Sequence, residues 1–173
     1  MAAPLGGCAD GGTGAPADAT SPPTEEAGTF DRGDFGIAFD YPEGFAPLPA
    51  GEPALPGALT ARIGLDDSNL LSVQRFGVNI SVTPDKVAAV QPDLDRLFSE
   101  LAGEPVEGQA VDVGGLPGLE YRFALAQPPG AQSRSTVIFD GPTQYLLTCQ
   151  STPEERATVK AACDMALETL RAT

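Results

Sequence analysis

An α+β fold, an antiparallel sheet of about six to seven strands flanked by helices, follows from three observations. From Phe35 onward, apolar residues recur at every second position in short runs separated by turn residues. Two segments, after Thr83 and after Ser151, switch to spacings of three and four, the period of a helix face. The strand-like runs are joined by short Gly-, Pro- and Asp-containing links. Such links make hairpins, and the two helices must then bury their stripes against the resulting sheet.

Composition narrows the function classes. The chain has 173 residues, with 24 acidic against 10 basic side chains and a formal net charge of −14. There is no His, which removes Ser-His-Asp and Cys-His nucleophile sites, imidazole metal ligands and a histidine pH switch. A polyanion of this charge repels phosphate backbones, so no nucleic-acid partner is expected. No apolar run reaches the length of a spanning helix.

Residues 1–33 are rich in Gly, Ala, Pro, Ser, Thr and acids, as in Gly11-Gly12-Thr13-Gly14 and Ser21-Pro22-Pro23-Thr24-Glu25-Glu26. So little apolar surface does not offset the entropy of ordering, and the segment reads as a disordered tether. Within it, Leu5-Gly6-Gly7-Cys8 is similar to a bacterial lipobox: an aliphatic residue, two small residues, then the thiol that forms a thioether to a diacylglycerol. Met1-Ala2-Ala3-Pro4 supplies neither a charged nor an apolar signal region, so the reading expects a signal segment upstream of Met1. The competing reading is a chance cysteine in a Gly-rich tail.

The folded domain is expected over 34–173. Phe35, Ile37, Phe39 and Tyr41 define the first strand, which Pro42-Glu43-Gly44 ends. Phe45 opens a Pro-rich loop (Pro47, Pro49, Pro53, Pro56) reaching Gly57. Strands follow over Leu59–Leu65 and Leu70–Val82 around an Asp66-Asp67-Ser68-Asn69 turn, with a kink or bulge expected at Gly77. Thr83 and Pro84 begin a helix striped by Val87, Val90, Leu94, Leu97, Phe98 and Leu101, interrupted by Pro92 and stopped at Gly103. Val111 and Val113 mark a short strand, Gly114-Gly115-Leu116-Pro117-Gly118 a turn, and Leu119, Tyr121, Phe123 and Leu125 the next strand, with Glu120 and Arg122 opposite. A strand over Ser133–Phe139 leads to Asp140-Gly141, the strongest hairpin signal in the chain, and to a last strand with Tyr145, Leu147 and Cys149. Thr152, Pro153 and Glu155 read as a capping box before a helix striped by Val159, Ala162, Cys163, Ala166 and Leu170.

Taken in order, several of these segments resemble a known family. They are a strand ending Tyr41-Pro42-Glu43-Gly44-Phe45, an Asn79-Ile80-Ser81-Val82-Thr83-Pro84 strand entering a helix, a Gly115-Leu116-Pro117-Gly118 turn, Tyr145-Leu146-Leu147-Thr148, and a terminal helix reaching Thr169-Leu170-Arg171. The order is similar to the PsbP-like fold, and within it to actinobacterial LpqN-like lipoproteins. The resemblance implies an α/β/α sandwich, an extracytoplasmic location at the outer face of the plasma membrane, and a non-catalytic role in binding an envelope lipid or protein partner. It brings no active-site residues, no cofactor and no metal.

The candidate sites follow. Cys149 and Cys163 have thirteen residues between them, and the last strand and last helix bring both to the core side. In an oxidising compartment they pair; otherwise they serve as two small buried thiols. Asp66-Asp67-Ser68-Asn69 reads as turn chemistry rather than a hard-cation loop. Glu154 and Glu155 read as helix-start acids rather than a catalytic pair. Ser-Lys catalysis would need Lys86 or Lys160 desolvated beside a serine, and both lie on polar helix faces. For ligand or partner binding, Phe30, Phe35, Phe39, Tyr41 and Phe45 form an aromatic group beside the Pro-rich stretch 47–57, with Phe45, Leu55 and Tyr41 as the candidate contacts, against the plainer reading of ordinary core plus a structured loop. The function expected is therefore non-enzymatic binding of a lipid-like ligand or envelope protein. The alternatives are a purely structural accessory subunit and a small carboxylate- or Ser-Lys-based hydrolase.

Overall fold

A computed structural model describes residues 27–51 and 57–173. The chain forms two antiparallel sheets and two α-helices. A small sheet has the order β1-β2-β9, from Gly28–Arg32, Ile37–Tyr41 and Arg171–Ala172. The large sheet has the order β3-β4-β5-β8-β7-β6, from Ala46–Leu48, Leu59–Gly64, Leu70–Val82, Gln132–Ser151, Leu116–Ala124 and Gln109–Val113. Helix α1 spans Val87–Ala102 and α2 spans Arg156–Thr169.

Two apolar clusters fix the layers. One gathers Phe35, β2 (Ile37 and Phe39), one face of the large sheet (Ile63, Leu71, Val73, Ile138, Tyr145 and Leu147) and α2 (Val159, Ala162 and Ala166). The other packs Val87 and Phe98 of α1 on Leu119, Tyr121, Val137 and Phe139. The large sheet is therefore the middle layer, with α1 on one face and α2 plus the small sheet on the other. This is the flanked α+β sheet that the period-two and helical stripes predict.

The domain starts earlier than residue 34. Gly28–Arg32 is a strand in full register with β2, Phe30 opposite Phe39. Phe30 is buried and stacks on Phe39 at 4.7 Å, with the edge of Phe35 at 5.2 Å. One aromatic among polar residues gives no alternating signal, yet its burial is enough to tie the strand down. Cys8 lies outside the described residues, as does Leu55 in the 52–56 stretch.

Strand β8 is extended through all of Gln132–Ser151, but it is not straight. Ser135 Oγ and Thr148 Oγ1 lie 3.2 Å apart, whereas thirteen extended residues would separate them by about 43 Å. The chain therefore reverses near Gly141, whose φ of +57° suits a turn that L side chains resist. Its first lane pairs with β7 (Gly118 opposite Ile138) and its second with β5 (Leu71 opposite Cys149). The hairpin expected at Asp140-Gly141 thus forms the centre of the sheet.

Three local expectations give way to tertiary contacts. Pro84–Lys86 is a 3-10 turn, α1 begins only at Val87, and it runs uninterrupted through Pro92. Pro92 and Ala88 are both exposed, so the carbonyl deprived of its bond sits on the solvent side. Leu97 and Leu101 are 49% and 64% exposed rather than core. The cause is a polar stripe one step round the helix. Gln91 Nε2 donates to the Gly108 carbonyl, Asp95 Oδ1 accepts from the Gly108 amide and the Tyr121 hydroxyl, and Ser99 Oγ accepts from the Val106 amide. These bonds turn the 91/95/99 side toward the sheet and swing Leu97 and Leu101 outward. Finally, the capping box does not form. Helix α2 starts at Arg156 after a turn over residues 153–155, and the Thr152 amide is taken instead by Asn69 Oδ1 at 2.9 Å.

The Asp66–Asn69 segment behaves as turn chemistry. One Asp66 carboxylate accepts from the Ser68 and Asn69 amides and from Asn69 Nδ2, while Asp67 pairs with Arg62. Those hydrogen bonds, the Asn69 side chain first, hold the Asp66 carboxyl below the usual carboxylate range.

Candidate functional site

Of the residues named from the sequence for ligand binding, Tyr41 and Phe45 join one apolar cluster, and Leu55 lies outside the described residues. Phe45 is 6% exposed and belongs to the main core cluster; Tyr41 is half-buried and packs against the same cluster. Both contribute apolar surface to the core that joins the small sheet, the large sheet and α2. Cys149 and Cys163, by contrast, are joined in a disulfide with Cα atoms 6.0 Å apart. It ties the second lane of β8 to α2.

That disulfide forms part of the floor of a cleft of about 600 Å³ between the β7–β8 region and the N-terminal half of α2. A volume of this order suits a small ligand. Ala124 and Val159 add apolar surface, and Ser133 and Ser151 are buried along the lining. The rest of the lining is charged: Arg122 from β7, Arg134 from β8, Arg156 and Lys160 from α2, and a single carboxylate, Glu104.

An alternating ion-pair chain organises these cations. Arg122 and Arg134 face each other in the β7–β8 register. Directly opposed like charges repel, and Glu120, two residues along β7, compensates. Glu120 is 6% exposed; one carboxylate oxygen accepts from Arg122 Nε at 2.7 Å and the other from Arg134 Nε at 2.7 Å. Arg134 then reaches Asp164 on α2, and Asp164 accepts from Lys160 Nζ at 2.5 Å. The order Arg122–Glu120–Arg134–Asp164–Lys160 runs from the sheet to the helix. Burial works against charge on Arg134, but the Asp164 and Glu120 carboxylates outweigh it and hold the guanidinium above its ordinary value. The hydrogen bond from Lys160 is the main reason the Asp164 carboxyl is held below its usual range; burial opposes it and Arg134 assists.

Arg134 has both ends of its fork committed and acts as a strut. Arg122 and Lys160 are 63% and 64% exposed, and Arg156 donates Nη2 to the Gly130 carbonyl at 3.0 Å. These three side chains present positive charge to the cleft mouth. On the opposite face of the sheet, Ser133 is bonded to Ser135 and Ser135 to Thr148. Lys160 is ion-paired and half in water, the opposite of the desolvated amine a Ser-Lys site requires. What the arrangement offers chemically is a set of exposed cationic side chains at one cleft. Sequence reading missed it because Glu120, Arg122 and Arg134 look like the ordinary solvent side of alternating strands. The legible signal was a Glu-x-Arg pair inside a strand, followed by an Arg on the next.

Among the described residues no helix is long and apolar enough to cross a membrane. No protein-family model and no curated protein matches the sequence. Solved structures do share the fold. The solution structure of cyanobacterial PsbP from Synechocystis sp. PCC 6803 matches with a TM-score of 0.60 at 17% identity, over 98% of this chain and 99% of that one. The crystal structure of LpqN, involved in cell envelope biogenesis of Mycobacterium tuberculosis, matches with a TM-score of 0.54 at 16% identity, over 86% and 91%. A Bacteroides thetaiotaomicron crystal structure matches with a TM-score of 0.57 at 13% identity over 84% of this chain, which spans 48% of the length of that protein. The chain has the PsbP-like fold, as the order of its sequence motifs implied.

Proposed function

We propose that this chain is a non-catalytic binding protein of the cell envelope, held at the outer face of the plasma membrane by lipid on Cys8 and using the cleft beside α2 to hold a ligand or partner. The observation that carries the reading is the cleft itself. Arg122, Arg134 and Lys160 are held in ion pairs and Arg156 donates to a backbone carbonyl, a lining suited to holding rather than to transforming. The PsbP-like fold, shared with a protein of cell envelope biogenesis, supports the envelope setting. The lipobox-like Leu5-Gly6-Gly7-Cys8 supports the anchor. A domain on a lipid-anchored tether samples the space near the membrane, and stable attachment follows from two or more acyl chains.

Intact-mass and peptide mass spectrometry of the protein isolated from its native membrane tests this. The expected result is a mature chain beginning at Cys8 with a diacylglyceryl thioether. A native chain carrying unmodified residues upstream of an unmodified Cys8 would refute the anchor, and turnover that maps to the cleft would refute the non-catalytic assignment.

A further inference from the structure

The cleft departs from the surface that surrounds it. The chain has 24 acidic and 10 basic side chains, yet four of those ten line this one cleft against a single lining carboxylate. They come from three elements, β7, β8 and α2; with their partners Glu120 and Asp164 counted beside Glu104, four cations face three carboxylates, a local balance that the fold sets apart from the acidic chain. Arg122 and Arg134 are directly opposed across a ladder, an arrangement that is costly unless an anion sits between or in front of them. Glu120 satisfies the inner side of that pair. At the mouth, Arg156 has no carboxylate partner among the described residues, although the protein is strongly acidic.

From this we propose that the cleft is a phosphate-group site, in which Arg122, Arg156 and Lys160 take the oxygens of a phosphate or phosphate monoester while Arg134, clamped by Glu120 and Asp164, sets the positive floor behind them. The proposal rests on the binding reading above and names its ligand class. Planar guanidinium forks match phosphate geometry with paired N–H donors, and an ammonium adds a compact third contact. Cations approaching from strand and helix suit a tetrahedral group with several oxygens. Val159 and the disulfide supply the apolar part of the same lining. The surrounding negative field of the protein repels anions elsewhere, so binding concentrates at this one mouth.

The test uses the full chain and two probes, inorganic phosphate and a water-soluble short-chain phosphatidic acid, each titrated by calorimetry at low and at 0.5 M salt. Saturable phosphate binding is expected, weakened by salt, and about tenfold weaker in Arg156→Gln and in Lys160→Gln, the scale of one charge-assisted contact. Arg156→Lys should recover part of the loss, and Arg96→Gln, a distant exposed cation, should leave binding unchanged. Phosphatidic acid binding at least tenfold tighter than phosphate assigns the group to a lipid, and equal binding assigns it to a soluble phosphate; both uphold the site. No saturable binding of either probe, or equal binding by wild type and both glutamine variants with unchanged melting temperatures, overturns it. Release of inorganic phosphate from the lipid probe would sink the non-catalytic reading while leaving the phosphate site standing, so the two failures are told apart.

Discussion

Reducing the Cys149–Cys163 bridge gives the most quantitative check on the architecture. The bond closes a short loop, with a sequence separation of 14, that contains the end of β8, the turn over 153–155 and the first half of α2. In the chain-entropy account a closed loop of about 15 residues raises the free energy of the unfolded ensemble by about 3 kcal/mol at 25 °C. For a domain of this size, 1 kcal/mol moves the melting temperature by about 2–4 °C, so reduction should lower it by about 6–12 °C. Reduction is cleaner than truncation because both sulfurs stay in place. The residues are 4% and 1% exposed, and a Cys149→Ala/Cys163→Ala variant would add the cost of two small voids. Differential scanning calorimetry of oxidised, phosphine-reduced and double-alanine protein measures all three. The thiol count supplies an independent check. Of the three cysteines, at most Cys8 should react with an alkylating agent in the unfolded, unreduced protein. Equal melting temperatures before and after reduction, or three reactive thiols in protein matured in an oxidising compartment, would refute the reasoning.

Other perturbations probe separate parts of the molecule. Asn69→Ala removes the acceptor of the Thr152 amide and a donor to Asp66 at a 5% exposed position; urea unfolding should show a loss of about 1–3 kcal/mol, against little for exposed Asp67→Ala. Phe98→Ala deletes a buried ring stacked 4.0 Å from Tyr121 and should cost about 3–5 kcal/mol, whereas the exposed Leu97→Ala should cost far less by the same measurement. Glu120→Gln leaves Arg122 and Arg134 opposed without a carboxylate between them. Thermal unfolding should show a loss of about 2–3 kcal/mol, reduced by added phosphate. Asp66 and Asp164 both titrate below their unfolded value, so the stability they contribute is complete above about pH 4 and is lost as pH falls through their folded values. A pH series of melting temperatures should fall through that acid range, and Asp66→Asn should flatten part of the fall.

What the sequence by itself determined is the set of features that local chemistry decides. Period-two runs place β2, β4, β5 and β7, because alternation is what a half-buried strand requires. Asp140-Gly141 turns the centre of the sheet, because a positive φ is cheap for glycine and the flanking runs match in length. Asp66–Asn69 closes a turn through its own side chains. The Cys149–Cys163 pairing was within reach for the same reason, since strand and helix stripes each place one sulfur on the core side.

What only the tertiary structure decided depends on which faces meet. Phe30 enlists Gly28–Arg32 into a sheet, although the surrounding residues carry the composition of a tether. Phe45 enters the main core cluster and Tyr41 packs against it. Gln91, Asp95 and Ser99 set the rotation of α1 and so leave Leu97 and Leu101 in solvent, against the apolar pattern of that helix. The cleft is the clearest case. Arg122, Arg134, Arg156 and Lys160 are spread over nearly forty residues of an acidic chain and look like separate solvated charges. They become a site only when the β8 hairpin and the return of α2 bring three elements to one place, because electrostatic fields add through space and take no account of distance along the chain.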